Sequence, residues 1–444
     1  MRSTRPRQKD VTASPAHEQP SADSRPETVP FHPVYFPRFE SMNGIINNLK
    51  RILPEDAQQR IFLVGGAVRD MLLNRVNTDI DLAASLTTEE YTALEFHLVE
   101  GRSTAPIWHR HVAGLGTLEV THLADAAGLA DDLRRRDFTI NAMAMNLEGD
   151  VIDPLDGRSD LEHKRLRPCN RLTFIDDPLR AFRAFRFAAD GWRMNQECEQ
   201  LLRERNWTIE LDSIPVERFS REMLKALDTD NPDRFFLLMQ KYGIGQGYLA
   251  ELFSMPHIPA GPLEHHPEGD LFSHSIQVLQ RVAGICSDPL TRFCAMFHDI
   301  GKLATAPALY PRHHGHDRTG FEMAVEFCHR LRLPAHYGKA LSWVSRLHGT
   351  FNLWGQLRDS TRIRLAGQAL KGGIADILPL VSAADKAGGS EPGEWREALR
   401  IAGMSSAELG IDTLKLESMQ PSKRTDHILQ KRVERFRSTL TASI

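Results

Sequence analysis

The 444-residue sequence predicts an α/β N-terminal head followed by mostly α-helical domains, and three observations predict it. Before about residue 156, short apolar runs typical of strands ("RIFLVGGAV", "TDIDLAAS", "LGTLEVTHL") alternate with glycine turns and short helical stretches. From Asp160 onward such runs are scarce, and arginine-rich amphipathic segments such as "DPLRAFRAFRFAAD" take over. A Pro/His/Gly-rich break, "SMPHIPAGPLEHHPEGD", then divides the helical part in two. A chain of this length has room for two to four domains.

Taken in order, residues 1–38 are expected to be a disordered leader, because the Pro-, Ser- and charge-rich stretch over 1–31 has too few aliphatics to offset chain entropy. Residues 39–156 form the head: a helix over "SMNGIINNLKRIL", a strand ending at Gly65-Gly66, a short helix over "RDMLLNR", and strands over "TDIDLAAS" and "LGTLEVTHL". Residues 157–255 read as all-helical, 256–390 as a histidine-rich helical domain, and 391–444 as a tail ending in a basic amphipathic helix, "SKRTDHILQKRVERFRS". No internal repeat is visible.

Composition narrows the function classes. No apolar run approaches the roughly 18 to 20 residues of a membrane span, and the N-terminus lacks the apolar core of a secretory signal. The five cysteines (Cys169, Cys198, Cys286, Cys294, Cys328) form no CxxC pair, so the expectation is reduced, buried thiols in a cytoplasmic protein. A net charge of −3 means that a nucleic-acid partner must be held by a local patch. Nothing in the sequence sets an oligomeric state.

The chemistry starts at "TDIDL". Residues i and i+2 of a strand share a face, so Asp79 and Asp81 present two carboxylates together while Ile80 and Leu82 turn to the core. Paired like charges need a cation, and hard oxygen donors suit Mg²⁺, which completes its octahedron with water and phosphates. Gly65 and Gly66 let backbone amides approach a triphosphate, assisted by the start of the helix that carries Arg69. Strand, glycine turn, helix and D-x-D strand together describe a candidate nucleotidyl-transfer site, with Asp79 and Asp81 as its catalytic pair.

The order G-G-x-V-R-D, then D-x-D, then "RRDFTINA" (135–142), then "DDPLRAFR" (176–183) resembles the class II tRNA nucleotidyltransferase (CCA-adding or CC-adding enzyme) and bacterial poly(A) polymerase family of the polymerase β superfamily. The likeness runs roughly from Phe62 to Asp385. It implies Asp79 and Asp81 as Mg²⁺ ligands, Gly66 and Arg69 as triphosphate contacts, and Arg136, Asp137 and Asn141 at the sugar and phosphates. It also implies that Asp177 and Arg180, with Arg183 a turn further on, read the incoming base without a nucleic-acid template. A spacing of three on a helix would set the Asp177 carboxylate beside the Arg180 guanidinium, matching a Watson-Crick edge of cytosine or adenine. Asp176 stands where the family usually has Glu.

The implied partners are a tRNA 3′ end, CTP and ATP. Basic residues from Lys164 to Arg186 cluster where the RNA end should lie. One departure bears on product: only "LADAAG", Leu123 to Gly128, stands where the family commonly inserts a longer loop linked to the switch from cytosine to adenine. Full CCA addition and CC-only addition are therefore close competitors, with CC-only favoured on this feature. Poly(A) addition is the rival within the same family.

The second half resembles HD phosphohydrolases through the order His274, His298-Asp299, Asp385. These side chains imply a site for a divalent ion of unspecified identity, with His313, His314, His316 and His348 as outer ligands or phosphate contacts. The rival of a different class is thus an HD phosphohydrolase whose transferase domain has become an RNA-binding module.

Overall fold

A computed structural model describes residues 42–75, 79–99, 106–113, 115–125, 127–207, 211, 213–386 and 388–442. The expected leader, 1–38, lies outside them, and Asp79 is described by its backbone alone. The head opens with helix α1 (Met42–Ile52), then strand β1 (Ile61–Val64), helix α2 (Gly66–Leu72) and strand β2 (Asp79–Ala84). Strands β3 (His97–Val99), β4 (Ile107–Val112), β5 (Gly116–His122), β6 (Ala144–Met145) and β7 (Val151–Ile152) complete a sheet of seven described strands, ordered β3-β4-β5-β2-β1-β6-β7. Only β2 and β5 run parallel, pairing Asp79 with Thr117 and Asp81 with Glu119. As a central strand, β1 is buried on both faces: Ile61 and Leu63 join the main core, whereas Phe62 and Val64 pack with Leu129, Leu133 and Ala144 behind the sheet.

The glycine turn has a backbone reason. Gly65 sits at φ +69° and ψ −133°, a conformation that an L side chain rarely adopts, and this lets the chain leave β1 and enter α2 at once. Its amide extends the β1–β6 ladder by donating to the Met143 carbonyl at 3.2 Å.

The region read as all-helical holds helices α3 (Arg180–Ala189) and α4 (Val216–Leu227) but also a parallel pair, β8 (Arg165–Leu166) and β9 (Arg193–Met194). That expectation is corrected. Strands of two residues carry no detectable alternation, and the pair forms because the chain after α3 returns to the head, with the Arg193 amide donating to the Lys164 carbonyl at 2.8 Å.

The histidine-rich part is helical: α5 (Leu271–Ala283), α6 (Pro289–Phe297), α7 (His316–Arg330), α8 (Ala335–Phe351), α9 (Asp359–Gly372) and α10 (Ile377–Asp385). Its starts are written in the sequence, since the Asp270 and Asp288 side chains accept from the Ser273 and Thr291 amides and Pro289 occupies the first turn of α6. In the tail, α11 (Trp395–Gly403) and α12 (Pro421–Ala442) follow. The basic helix is not wholly solvated, because Phe436 is buried and Leu429 and Val433 pack on the core. No described helix is long and apolar enough to cross a membrane.

Candidate functional site

The head site grows from the glycine turn. A Cβ on Gly65 would lie 2.6 Å from Arg136 Nη1 and 3.5 Å from Asp81 Oδ2, so the bare backbone is the floor beneath a guanidinium and a carboxylate. The Arg136 guanidinium is braced at 2.8 Å by buried Asp132. Asp81 and Glu119 are register partners on parallel strands, which puts their side chains on one face. Glu119 was missed in the sequence; the clue was the acidic residue inside the alternating run "TLEVT". Carboxylates on one face of a sheet offer the hard oxygen donors that a hard cation prefers.

Arg69, Asn141, Asp137 and Arg183, distant in sequence, are joined by hydrogen bonds. The Arg69 guanidinium donates to both Asp70 oxygens (2.9 and 3.0 Å) and to Asn141 Oδ1 at 2.5 Å. Asn141 Nδ2 donates to Asp137 Oδ1 at 3.0 Å, and Arg183 Nε donates to Asp137 Oδ2 at 2.8 Å. Glu222 lies beyond, accepting from Arg186 Nε at 2.6 Å. Burial opposes ionisation of Asp137, yet the Arg183 charge and the donors from Asn141 and the Phe138 amide hold its carboxyl down at about 2. The network ties the Arg69 and Arg183 guanidiniums together through Asn141 and Asp137. Of the two glycine amides expected at a phosphate, that of Gly65 is already committed to Met143.

The expected side-by-side pair of Asp177 and Arg180 is not formed. Asp177 precedes the helix with φ −149° and ψ 101°, because the following Pro178 disfavours a helical conformation there, and α3 begins only at Arg180. Asp177 instead accepts from Arg218 at 2.8 Å, while Arg180 donates to the carbonyls of Arg135 (2.8 Å) and Thr173 (3.1 Å). Arg183, one turn into α3, faces the Asp137 network.

In the helical half, four residues from three distant parts of the sequence meet. Nε2 of His274 lies 3.4 Å from Nε2 of His298 and 3.2 Å from Asp385 Oδ1, and His298 Nε2 lies 3.2 Å from Asp299 Oδ2. The opposite ring nitrogens are spoken for: His274 Nδ1 by Glu268 at 2.6 Å and His298 Nδ1 by the Ala295 carbonyl at 2.9 Å. That arrangement turns both Nε2 lone pairs inward, as metal-binding imidazoles require. Burial works against both carboxylates, but Lys302 and His298 hold Asp299 well below the usual range, and His274 and His298 do the same for Asp385. Asp299 Oδ1 is a buried acceptor with no hydrogen-bond donor. Such an orphaned oxygen fits a cation.

Glu268 and Lys302 were also missed in the sequence; Lys302 donates to Asp299 Oδ2 and to the Ala260 carbonyl, each at 2.7 Å. Their signal was only the "HDIGK" and "HHPEGD" neighbourhoods of the histidines. Of the expected outer histidines, His316 and His348 reach Asp299, whereas His313 Nε2 donates to the Pro259 carbonyl at 2.7 Å and its Nδ1 pairs with the Thr305 hydroxyl at 3.0 Å.

Together, the sheet with its carboxylate face and the helical half with its His/Asp cluster define a nucleotidyltransferase head joined to an HD domain. Matching family profiles agree: the Poly A polymerase head domain over residues 61–113 and 116–167, the probable RNA and SrmB-binding site of polymerase A over 193–255, and the HD domain over 271–378. The Multifunctional CCA proteins of two Legionella pneumophila strains, Philadelphia 1 and Lens, are each 34% identical over 327 residues, spanning 70% of this chain and 79% of theirs. Among solved structures, the Bacillus stearothermophilus CCA-adding enzyme in complex with CTP superposes with TM-score 0.57 at 23% identity, covering 92% of this chain and 94% of that one. The Thermotoga maritima CCA-adding enzyme complexed with tRNA gives 0.53 at 17%, covering 90% and 94%. The chain belongs to the CCA-adding family of tRNA nucleotidyltransferases.

Proposed function

We propose that this protein extends tRNA 3′ ends with cytidine from CTP, without a template, and stops after two additions. The observation that carries the reading is the placement of the Asp81 carboxylate over the glycine turn, beside Arg136 and the fixed Arg69–Asn141–Asp137 network. Its functional units are the head (39–156), a nucleotide-selecting and RNA-binding part (157–255), the HD domain (256–390) and the helical tail (391–444). A tRNA substrate places it in the cytoplasm.

Asp79 and Asp81 are assigned as the catalytic carboxylates and Mg²⁺ ligands, with Glu119 alongside. When bound, the ion lowers the charge barrier at the α-phosphate and steadies the pyrophosphate leaving group. The protein does the rest by position. Arg69 and Arg136, each held by an aspartate, meet the phosphates with the Gly66 end of α2, and Asn141 and Asp137 set the sugar side. The terminal ribose hydroxyl then attacks in line, the new ester bond forms, and the bond to pyrophosphate breaks.

Base choice is assigned to Asp177, Arg180 and Arg183. For Asp177 and Arg180 this requires a change of partner. The half-exposed Asp177–Arg218 pair stabilises by about 0–1 kcal/mol, so a cytosine edge displaces it at little expense. In the Asp137–Arg183 pair the carboxylate is buried while the guanidinium is partly exposed, and this pair stays.

The short Leu123–Gly128 segment supports stopping at CC; the names of the Legionella relatives favour a second reading, full CCA addition with ATP. Single-nucleotide-resolution extension of tRNA ending at its discriminator base decides. Two added residues with CTP alone and no third with CTP plus ATP fit the proposal; a third residue with ATP establishes the second reading, and tails grown from ATP alone would point to poly(A) synthesis. The HD cluster supports a separate metal-dependent phosphohydrolase activity on phosphate esters: His298→Ala should abolish hydrolysis and leave CTP incorporation intact, and hydrolysis surviving that change would refute it.

A further inference from the structure

The face of the sheet that carries Asp81 does not end at Glu119. Register continues it strand by strand: Asp81 lies opposite Glu119 on β5, Glu119 opposite His109 on β4, and His109 opposite His97 on β3. Cross-strand partners share a face, so these four side chains form one row. At about 4.8 Å per strand the row runs about 14 Å from the Asp81 carboxylate to β3, the edge of the described sheet. A second row of positions, Asp79, Thr117 and His111, lies beside it. Alternation separates the two faces: Trp108, Leu118 and Val120 are buried in the main core, whereas His97, His109, His111, Thr117 and Glu119 are exposed. Toward β1 the same face is covered, since Leu129 and Leu133 pack with Val64 and Ala83.

The makeup of this face differs from that of a face that meets only water. Solvated strand pairs are stabilised by opposite charges across from one another, and edge strands are commonly guarded by lysine. Here two imidazoles face each other across β3 and β4 with ring centroids 5.9 Å apart, and His111 stands two residues along from His109. The rings border an open groove of about 530 Å³ whose lining adds Thr92, Glu95 and Arg110. On the other side of the row Ile107 and Val99 are partners, and Val99 is 46% exposed. Imidazole planes stack on bases and their N–H groups donate to phosphate oxygens. A sheet face bearing exposed rings is one of the recurring platforms for unpaired RNA.

The direction of attack says which strand lies there. In phosphoryl transfer the attacking and leaving oxygens stand on opposite sides of the phosphorus. Arg69, Arg136 and the Gly66 end of α2, assigned above to the triphosphate, belong to the β1 side of β2, so pyrophosphate leaves toward β1. The attacking ribose then arrives from the other side, over β5, with β4 and β3 behind it. We propose that His97, His109 and His111 form a lane for the unpaired 3′ end of the RNA substrate: the strand crosses β3 and β4, the imidazoles stack on its bases and donate to its phosphates, and its terminal hydroxyl comes to rest at Glu119 and Asp81. The inference rests on the assignment of Asp81 to nucleotide addition. At about 3.4 Å per stacked residue the lane holds a few nucleotides upstream of the reacting hydroxyl. The three histidines therefore govern the hold on RNA and leave the hold on CTP to the other side of the site.

The test compares the full-length protein with a variant carrying His97→Thr, His109→Thr and His111→Thr, which removes the rings from exposed strand positions and keeps β propensity. Loss of the stacking rings should weaken binding of tRNA ending at its discriminator base, and raise the KM for it, by at least about tenfold, while the KM for CTP and the melting temperature hold. With 4-thiouridine at the discriminator position and no CTP present, near-ultraviolet light should crosslink the wild type at β3 or β4, and the variant should lose most of that crosslink. Unchanged tRNA affinity and KM in the variant overturn the proposal, as does a wild-type crosslink confined to the helical part. An equal rise in the KM for CTP also overturns it, because the histidines would then act by supporting the carboxylates. Zinc bound by the wild type and not by the variant, with tRNA affinity unchanged, assigns the face to a metal instead and equally overturns it. Binding and crosslinking are read without nucleotide addition, so they are separate from the assignment of Asp81, which fails only if Asp81→Ala extends RNA at the wild-type rate.

Discussion

At the scale of single residues, Asp137 shows how a site is held ready. Its carboxyl is lowered from 3.8 to about 2, so it contributes stability that is fully present above about pH 4 and is lost as the pH falls through about 2. A depression of that size corresponds to about 2 kcal/mol. Asp137→Asn should therefore lower unfolding free energy near neutrality by about that amount and flatten the acid limb between pH 4 and 2; denaturant titrations across that range check it, and an unchanged acid limb would contradict it. Gly301→Ala pushes a methyl into the His316 carbonyl, and overpacking of this sort destabilises by about 1–3 kcal/mol, measurable as a lower melting temperature. The HD pair and the glycine turn were legible in the sequence because each is a local pattern. Arg180 was not. Its carbonyl partners at Arg135 and Thr173 are fixed only by the way α3 docks on the head, and no spacing rule encodes that.

At the scale of elements, the strand–turn–helix unit β1–Gly65–α2 and the parallel β2–β5 pair were readable, since apolar runs bounded by glycines carry their own signal. The β8–β9 pair and the true start of α3 were not, because two-residue strands have no period and a proline-shifted helix start displaces the pairing inferred from ideal helical spacing. That displacement has a testable consequence. If Asp177 must leave Arg218 to meet a base, Arg218→Ala should change unfolding free energy by less than about 1 kcal/mol yet alter the ratio of CTP to ATP incorporation, whereas a purely structural pair would leave that ratio unmoved. Competition assays with both nucleotides give the answer.

At the scale of the whole molecule, a sheet-based head and a helical half share one hydrophobic core, and the described His/Asp groups able to hold an ion all belong to the helical half. Divalent ions that bind only the folded chain stabilise it by mass action, by about 2.7 kcal/mol at a hundredfold excess over the dissociation constant. Chelation should therefore lower the melting temperature, and His298→Ala should remove most of that metal-dependent change without removing CTP incorporation. The claim on which the account rests is that the β2 carboxylates at the glycine turn carry nucleotide addition. The most direct measurement is single-turnover CTP addition to tRNA lacking its 3′ CCA, comparing wild type with Asp79→Ala and Asp81→Ala proteins of unchanged melting temperature. The account predicts two added cytidines for the wild type and a loss of at least about a thousandfold in rate for each variant, about 4 kcal/mol of transition-state stabilisation; extension by either variant at the wild-type rate would contradict it.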